Sequence, residues 1–258
     1  MHTRARDIAD WMKSQVAGAG ARGIVVGLSG GIDSAVVAGL ASTALPGHVV
    51  GVLLPCHSDP RDEADARLAA EHFQVATIRV DLAAAYDRLL VDARTAIAHL
   101  PPHQRSVLVH DEVDIKARVP VANIKPRLRM TTLYFVANSL NYLVAGTGNR
   151  SELTIGYFTK YGDGGVDILP IGALVKSEVR ALARELGVPE PIIEKAPSAG
   201  LWEGQTDESE MGFTYADLER YLSGGPDAVT PALALRIERL ARASEHKRGV
   251  PPTYNAEG

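Results

Sequence analysis

A short apolar run, Ile24-Val25-Val26-Gly27-Leu28, ends in Ser29-Gly30-Gly31-Ile32-Asp33-Ser34, and a helical pattern follows over Asp33 to Ala44. A buried strand that turns through paired glycines into a helix puts that turn at the carboxyl edge of a sheet, where open α/β folds bind their ligands. The glycines allow a tight turn and bring backbone N–H groups close to phosphate oxygens. The helix N-terminus adds partial positive charge, and the hydroxyls of Ser29 and Ser34 can donate to the same oxygens. Asp33 would repel a phosphate directly, so its carboxylate makes sense as a ligand for a Mg2+ ion that neutralises one. The run has neither the spacing nor the Lys-Ser/Thr pair of a Walker loop.

The flanking pattern supplies the rest of such a sheet. Ile8, Trp11, Met12 and Val16 predict a helix over Arg4 to Val16, and Gly18 to Gly23 breaks it. After the glycine turn come an apolar run at His48 to Leu54, a helical segment at Arg61 to Phe73 and a strand at Ala76 to Val80. Strands alternating with helices predict an α/β fold, a doubly wound and mostly parallel sheet flanked by helices. Further on, Leu82 to His99 reads as helix and Pro101 to Val119 as a polar connection. Arg127 to Tyr142 is apolar over most of its circumference, which predicts a buried helix and a place for a subunit interface. Leu143 to Ala145 and Asp167 to Leu169 read as strands, and Lys176 to Leu186 as a helix stopped by Gly187 and Pro189. Tyr215 to Leu222 and Pro231 to His246 form a C-terminal helical part.

With 258 residues, 46% apolar and 22% charged, the chain is expected to be one domain over 1–258. Met1 to Val16 carries Arg4, Arg6, Asp7, Asp10 and Lys13, which interrupt the apolar core that a signal peptide needs. The lone Cys56 excludes an internal disulfide, reads as structural, and suits a reducing cytoplasm. A formal charge of −4 offers no general attraction to a polyanion. Small-molecule substrates are therefore expected, with neither nucleic acid nor membrane as partner.

Two more segments carry chemistry. Gly146-Thr147-Gly148-Asn149-Arg150-Ser151-Glu152 again follows a short strand and should reach the same sheet edge, with Thr147 and Glu152 facing a nucleotide. Phe158-Thr159-Lys160-Tyr161-Gly162-Asp163-Gly164-Gly165-Val166-Asp167 gathers aromatics, a cation and carboxylates in a glycine-rich turn. The Ser29 to Ser34 loop resembles the pyrophosphate loop of the N-type ATP pyrophosphatases. Together with Phe158 to Asp167 and His246-Lys247-Arg248, it closely resembles the ammonia-dependent NAD synthetase family over nearly the whole chain.

That resemblance implies a homodimer that converts deamido-NAD (nicotinic acid adenine dinucleotide), ATP and ammonia into NAD, AMP and pyrophosphate through an acyl adenylate. It places Gly27, Leu28, Ser29, Gly30, Gly31, Ile32, Asp33 and Ser34 on ATP, with Thr147, Lys176 and Ser198. It places Asp33 and Glu152 on Mg2+, gives Asp33 and Lys176 catalytic roles, and assigns Arg127, Lys160, Asp167, His246 and Lys247 to deamido-NAD. Three positions depart from the family pattern. Pro126 replaces alanine, which should set the start of the long helix near it; Ser198 replaces threonine; and Gly148-Asn149-Arg150-Ser151 replaces an acidic-His-Ala-Ala run. Leu201 to Gly212 resembles a mobile loop that orders over the site. No segment provides the amidase domain with which some members obtain ammonia from glutamine.

Overall fold

The computed structural model describes residues 3–105, 115–198, 200 and 206–254. Its sheet has four strands in the order β3-β2-β1-β4, all parallel: β1 (Ile24–Gly27), β2 (Val49–Leu53), β3 (Ala76–Arg79) and β4 (Leu143–Ala145). Ile24 stands opposite Val49 on one side and Leu143 on the other. Both faces of β1 are covered, which is why its first three residues are all apolar and all buried. β3 lies at one edge and is exposed along its length, and there Arg79 pairs with Glu63 and Asp81.

The doubly wound sheet expected from the sequence is what the structure has. On one face, α1 (Thr3–Gly18), α2 (Ile32–Ala44), α3 (Pro60–His72), α8 (Lys176–Leu186) and α9 (Glu190–Glu194) enclose a core built on Met12, Ile24, Val26, Val37, Leu40 and Leu182. On the other, α4 (Ala83–Ala98) and α6 (Ile124–Leu140) pack Tyr86, Val136 and Ala137 against Val25, Val52 and Val144. A third cluster joins α7 (Arg150–Ile155), α10 (Asp207–Met211), α11 (Tyr215–Gly224) and α12 (Pro231–Ala243) around Ile155, Met211, Tyr215, Leu218 and Ile237. This is the C-terminal helical part. No helix among the described residues is long and apolar enough to cross a membrane.

Several elements differ from their sequence reading. The polar connection expected over Pro101 to Val119 contains a 3-10 turn at Pro102–Gln104, and residues 106–114 lie outside the described part. Its end already belongs to α5 (Ile115–Ala122), which carries Pro120 inside it. Asn123 separates α5 from α6, so Pro126 falls in the first turn of α6, where its missing N–H costs nothing. The expected strand at Asp167 to Leu169 is a single parallel bridge, Ala145 to Ile168. Pro170, which has no N–H, follows at once, and the Asp167 carboxylate itself accepts from the Val144 N–H at 2.7 Å.

The helix expected to be buried on most sides, α6, is buried on one. Val136 and Ala137 face the sheet, while Phe135 is 72% exposed. A helix laid on one sheet face can bury only about half its circumference within one chain, so the outward side carries Arg127, Thr131, Asn138 and Ser139 beside the single exposed Phe135.

Candidate active site

The turn after β1 is held by its own side chains. Ser34, 2% exposed, donates to the Gly31 carbonyl at 2.9 Å, lies 3.1 Å from the Ser29 hydroxyl, and accepts from the Ser29 N–H at 3.3 Å. Its role here is to shape the loop. Gly30 has φ +76°, and a Cβ at that position would lie 2.2 Å from the Asp62 carbonyl oxygen. The turn therefore needs glycine both for its backbone and because it packs directly on α3. Gly31 is the N-cap of α2 and supplies no side-chain cap. The first-turn N–H groups of this 13-residue helix stay available for an anion.

Asp33, in that first turn, meets residues from two distant segments. Its Oδ2 takes the Lys176 ammonium at 2.5 Å and its Oδ1 takes the Asn149 amide at 3.1 Å. Asn149 is fully buried and caps α7 reciprocally with Glu152: its side chain accepts from the Glu152 N–H, and Glu152 accepts from the Asn149 N–H, both at 3.1 Å. Lys176 opens α8, 1% exposed, with its backbone N–H on the equally buried Ser151 hydroxyl. Its ammonium also lies 3.5 Å from Glu152 and over the Tyr215 ring at 5.1 Å. The Gly148 to Ser151 departure thus has a use: Asn149 orients Asp33 and Glu152, and Ser151 positions Lys176. Sequence reading missed Asn149, although an Asn three residues before a Glu is a capping-box signal.

From the C-terminal part, α10 and α11 bring Asp207 and Tyr215 to the same place. Tyr215 donates to Asp207 Oδ2 at 2.7 Å, while Asp207 Oδ1 is buried with no hydrogen-bond partner. Three carboxylates, from Asp33, Glu152 and Asp207, thus surround the single Lys176 ammonium. Burial, and then the Asp33 charge, push the Glu152 carboxyl up to about 8. Burial likewise raises Asp207, with the Tyr215 hydrogen bond opposing it. Burial pulls the Lys176 ammonium down, but Asp33 and Glu152 outweigh it and hold the lysine above its ordinary value.

These groups open onto a cavity of about 820 Å3 beyond the carboxyl ends of β1, β2 and β4. Of the residues expected to bind ATP, Gly27, Leu28, Ser29, Gly31, Ile32, Asp33, Thr147, Lys176 and Ser198 line it; Gly30 and Ser34 stand behind the loop. Of the residues expected on deamido-NAD, only Lys247 lines it. Lys247 donates to the Gly156 and Phe158 carbonyls, each at 2.8 Å. Arg127 is exposed, with a weak contact to the Lys160 carbonyl at 3.4 Å, and Lys160 donates to the His246 carbonyl at 2.5 Å. Asp167 is exposed, but its two carboxylate oxygens accept from the Tyr134 hydroxyl and the Val144 N–H. These four form an outer surface beside α6, separate from the cavity. In the segment read as a mobile loop, residues 201–205 lie outside the described part, while Asp207–Met211 is a helix capped by Thr206.

Among the described residues no three His, Cys, Asp or Glu side chains converge as a closed metal cage. Magnesium does not require one. It keeps waters and substrate phosphates as ligands and takes one or two carboxylates from the protein. Asp33 and Glu152 offer hard oxygens on either side of Lys176. The burial and the neighbouring Asp33 charge that together raise Glu152, and the partnerless oxygen of Asp207, are what a divalent cation would relieve. The residues fit the ion.

A parallel α/β sheet with a glycine turn, an acidic helix start and a buried lysine at its carboxyl edge places the molecule among enzymes of the adenine nucleotide alpha hydrolase-like fold. The match extends to a family. The NAD synthase family model covers residues 4–251, and the chain belongs to that family. It is 50% identical over 248 residues to the NH(3)-dependent NAD(+) synthetase of Carboxydothermus hydrogenoformans, covering 96% of this chain and 95% of that one. Among solved structures, the NMN synthetase of Francisella tularensis superposes with a TM-score of 0.86 at 37% identity, covering 98% of this chain and 97% of that one. The NH3-dependent NAD synthetase of Campylobacter jejuni superposes with 0.76 at 27% identity, covering 99% and 100%.

Proposed function

We propose that this chain is an ammonia-dependent NAD synthetase that amidates the nicotinate carboxylate of deamido-NAD, converting ATP to AMP and pyrophosphate through an acyl adenylate. A carboxylate oxygen attacks the α-phosphorus, the bond to the β-phosphate oxygen breaks, and pyrophosphate leaves. Ammonia then attacks the acyl carbon, AMP departs with the carboxylate oxygen, and the new amide nitrogen releases a proton. The observation that carries this reading is the buried Asp33–Lys176 pair at the uncapped start of α2, on the wall of the cavity.

Within that scheme the chain's own groups position and neutralise charge. The first-turn N–H groups of α2 and the Ser29 hydroxyl cradle the leaving pyrophosphate, and Lys176 offers it a cation while remaining fixed by Asp33. Asn149 keeps Asp33 and Glu152 in place for Mg2+, which supplies Lewis-acid neutralisation of the phosphate oxygens when bound. Thr147 and Ser198 offer hydroxyls to the nucleotide from the cavity wall. The nitrogen donor is ammonia itself, as the relatives' names support.

We also infer a homodimer in the cytoplasm. The exposed Phe135 on the outer side of α6 supports the dimer, and a lone buried thiol suits a reducing compartment. Light scattering at micromolar concentration checks the dimer, and a monomer there overturns it.

A second reading takes the mononucleotide, nicotinate ribonucleotide, as acceptor. It is favoured by the likeness to the Francisella enzyme and by the position of Arg127, Lys160, Asp167 and His246 outside the cavity. One assay tests both: purified protein with ATP, Mg2+, an ammonium salt and either acceptor, following amide product and AMP. The main reading expects the higher kcat/KM on the dinucleotide, and the reverse preference selects the mononucleotide. AMP and amide absent with both acceptors from folded protein contradict both readings.

A further inference from the structure

Arg127 and Arg129 sit two positions apart on α6, about 200° around the helix, so one sequence motif presents two guanidiniums on opposite sides. Arg127 is exposed and outside the cavity, whereas Arg129 lines it. Arg129 Nε donates to the Leu54 carbonyl and one Nη2 hydrogen donates to the Ser58 hydroxyl, both at 3.2 Å. Both acceptors are neutral. A guanidinium has five N–H donors in one plane, so the rest of its donor set, including both hydrogens of Nη1, has no acceptor among the described residues.

The other cations of the cavity wall are engaged differently. Arg79 is held by Glu63 and Asp81, Lys176 by Asp33, and Lys195 by Asp62 and Asp65. Each has its charge met by carboxylates of the chain. Lys247 gives two of its N–H groups to carbonyls. Among the described residues neither Arg129 nor Lys247 has a carboxylate within ion-pair distance, but Lys247 keeps one N–H at most to spare, whereas Arg129 keeps most of a planar donor fork. Burial pulls its pKa down, yet an arginine stays charged, so the cost of that unpaired charge remains until an anion arrives.

The proposed reaction requires two anions, a carboxylate and the α-phosphate of ATP, to meet in this cavity. We infer that Arg129 is a substrate-binding residue whose free N–H edge takes a reactant oxyanion, the nicotinate carboxylate or the α-phosphate. The backbone of Leu54 and the hydroxyl of Ser58 fix the guanidinium plane, leaving the opposite edge for a bidentate contact. The inference rests on the amidation reading above.

Calorimetric titration of the full chain with single ligands tests it apart from turnover. The ligands are Mg-ATP, the acceptor that wild-type protein turns over, and the amide of that acceptor. If the carboxylate is the partner, Arg129→Gln loses about tenfold or more of acceptor affinity while the amide and ATP bind as before. If the α-phosphate is the partner, ATP affinity falls by that factor and the preference for acid over amide is kept. Arg129→Lys restores part of either loss. Ser58→Ala, which removes a support of the guanidinium and leaves its charge, weakens neither ligand more than about threefold. Unchanged affinities in Arg129→Gln overturn the inference. So does a loss that Ser58→Ala reproduces in full, because the arginine would then act only by holding the loop. Wild-type protein that turns over neither acceptor sinks the amidation reading instead, which separates the two failures.

Discussion

The wall around Asp33 and the outer surface around Lys160 contain similar residue types and treat them differently. At the first, Asp33, Asn149, Glu152 and Lys176 come from three segments, are largely buried, and are fixed by one another at 2.5 to 3.5 Å. At the second, Arg127 is exposed, Lys160 contacts the His246 carbonyl, and Asp167 is used up in joining β4 to the chain after it. One chain therefore preorganises the wall that the proposed reaction uses for phosphate. The far side is an open surface beside the exposed face of α6, where a second subunit would complete it under the proposed dimer.

The most damaging change to that contrast is loss of the buried ion pair. Lys176→Met is expected to lower turnover by about a thousandfold, as removal of a preorganised charge at a reacting phosphate does. Denaturant titration should also show a loss of about 3 kcal/mol, because Asp33, half-buried, is left without its counter-charge. The double variant Asp33→Asn, Lys176→Met should recover part of that stability and none of the activity.

Gly30→Ala comes next. A left-handed φ and a 2.2 Å approach to the Asp62 carbonyl make any side chain there strained, at a cost of about 2 kcal/mol or more. ATP affinity should fall with it. A stable variant with normal ATP binding would mean that the loop does not pack on α3 as described.

The outer surface should respond weakly and selectively. Lys160→Ala is expected to leave the KM for ATP within about twofold, to raise the KM for the dinucleotide by up to about tenfold, and to change stability by less than about 0.5 kcal/mol. If it changes the ATP KM as much as the acceptor KM, the separation of the two regions is broken.

A pH series sharpens the comparison further. Glu152 has its folded pKa raised from 4.5 to about 8, so without metal the folded chain binds more protons than the unfolded chain between those values. Its contribution to stability is then fully present below about 4.5 and is lost as pH rises through about 8. Metal-free wild type should lose stability over that window, and Glu152→Gln should flatten the slope. Added Mg2+ should recover more stability at pH 8 than at pH 5.

Much of this was legible in the sequence. Continuous apolar runs marked β1, β2 and β4 because a strand covered on both faces has no polar side. The Gly-Gly-Ile-Asp-Ser turn was legible because paired glycines between a strand and a helix mark a tight turn, and the structure puts it on the cavity wall. The exposed edge strand β3 was found from composition alone, and helix ends with glycine, such as Gly187 after Leu186, were placed closely. What escaped depended on long-range geometry. The family resemblance singled out Lys176, but that its ammonium is held by Asp33, 143 residues away, was not written in the local sequence. Arg127 and Arg129 look equivalent in a line of letters, and only the helix phase, set by the start of α6, sends one outward and one inward. Asp207 lies in the segment Leu201 to Gly212, read as a mobile loop, yet a five-residue helix and Tyr215 carry it to the lysine.

The measurement that tests the central claim most directly is transfer of a heavy-oxygen label from the acceptor carboxylate. With labelled carboxylate, ATP, Mg2+ and ammonia, the acyl-adenylate route predicts one labelled oxygen in the phosphate of the AMP formed, detected by mass spectrometry, and none in pyrophosphate. Unlabelled AMP formed alongside amide would mean that the carboxylate never attacked the α-phosphate, and would contradict the account.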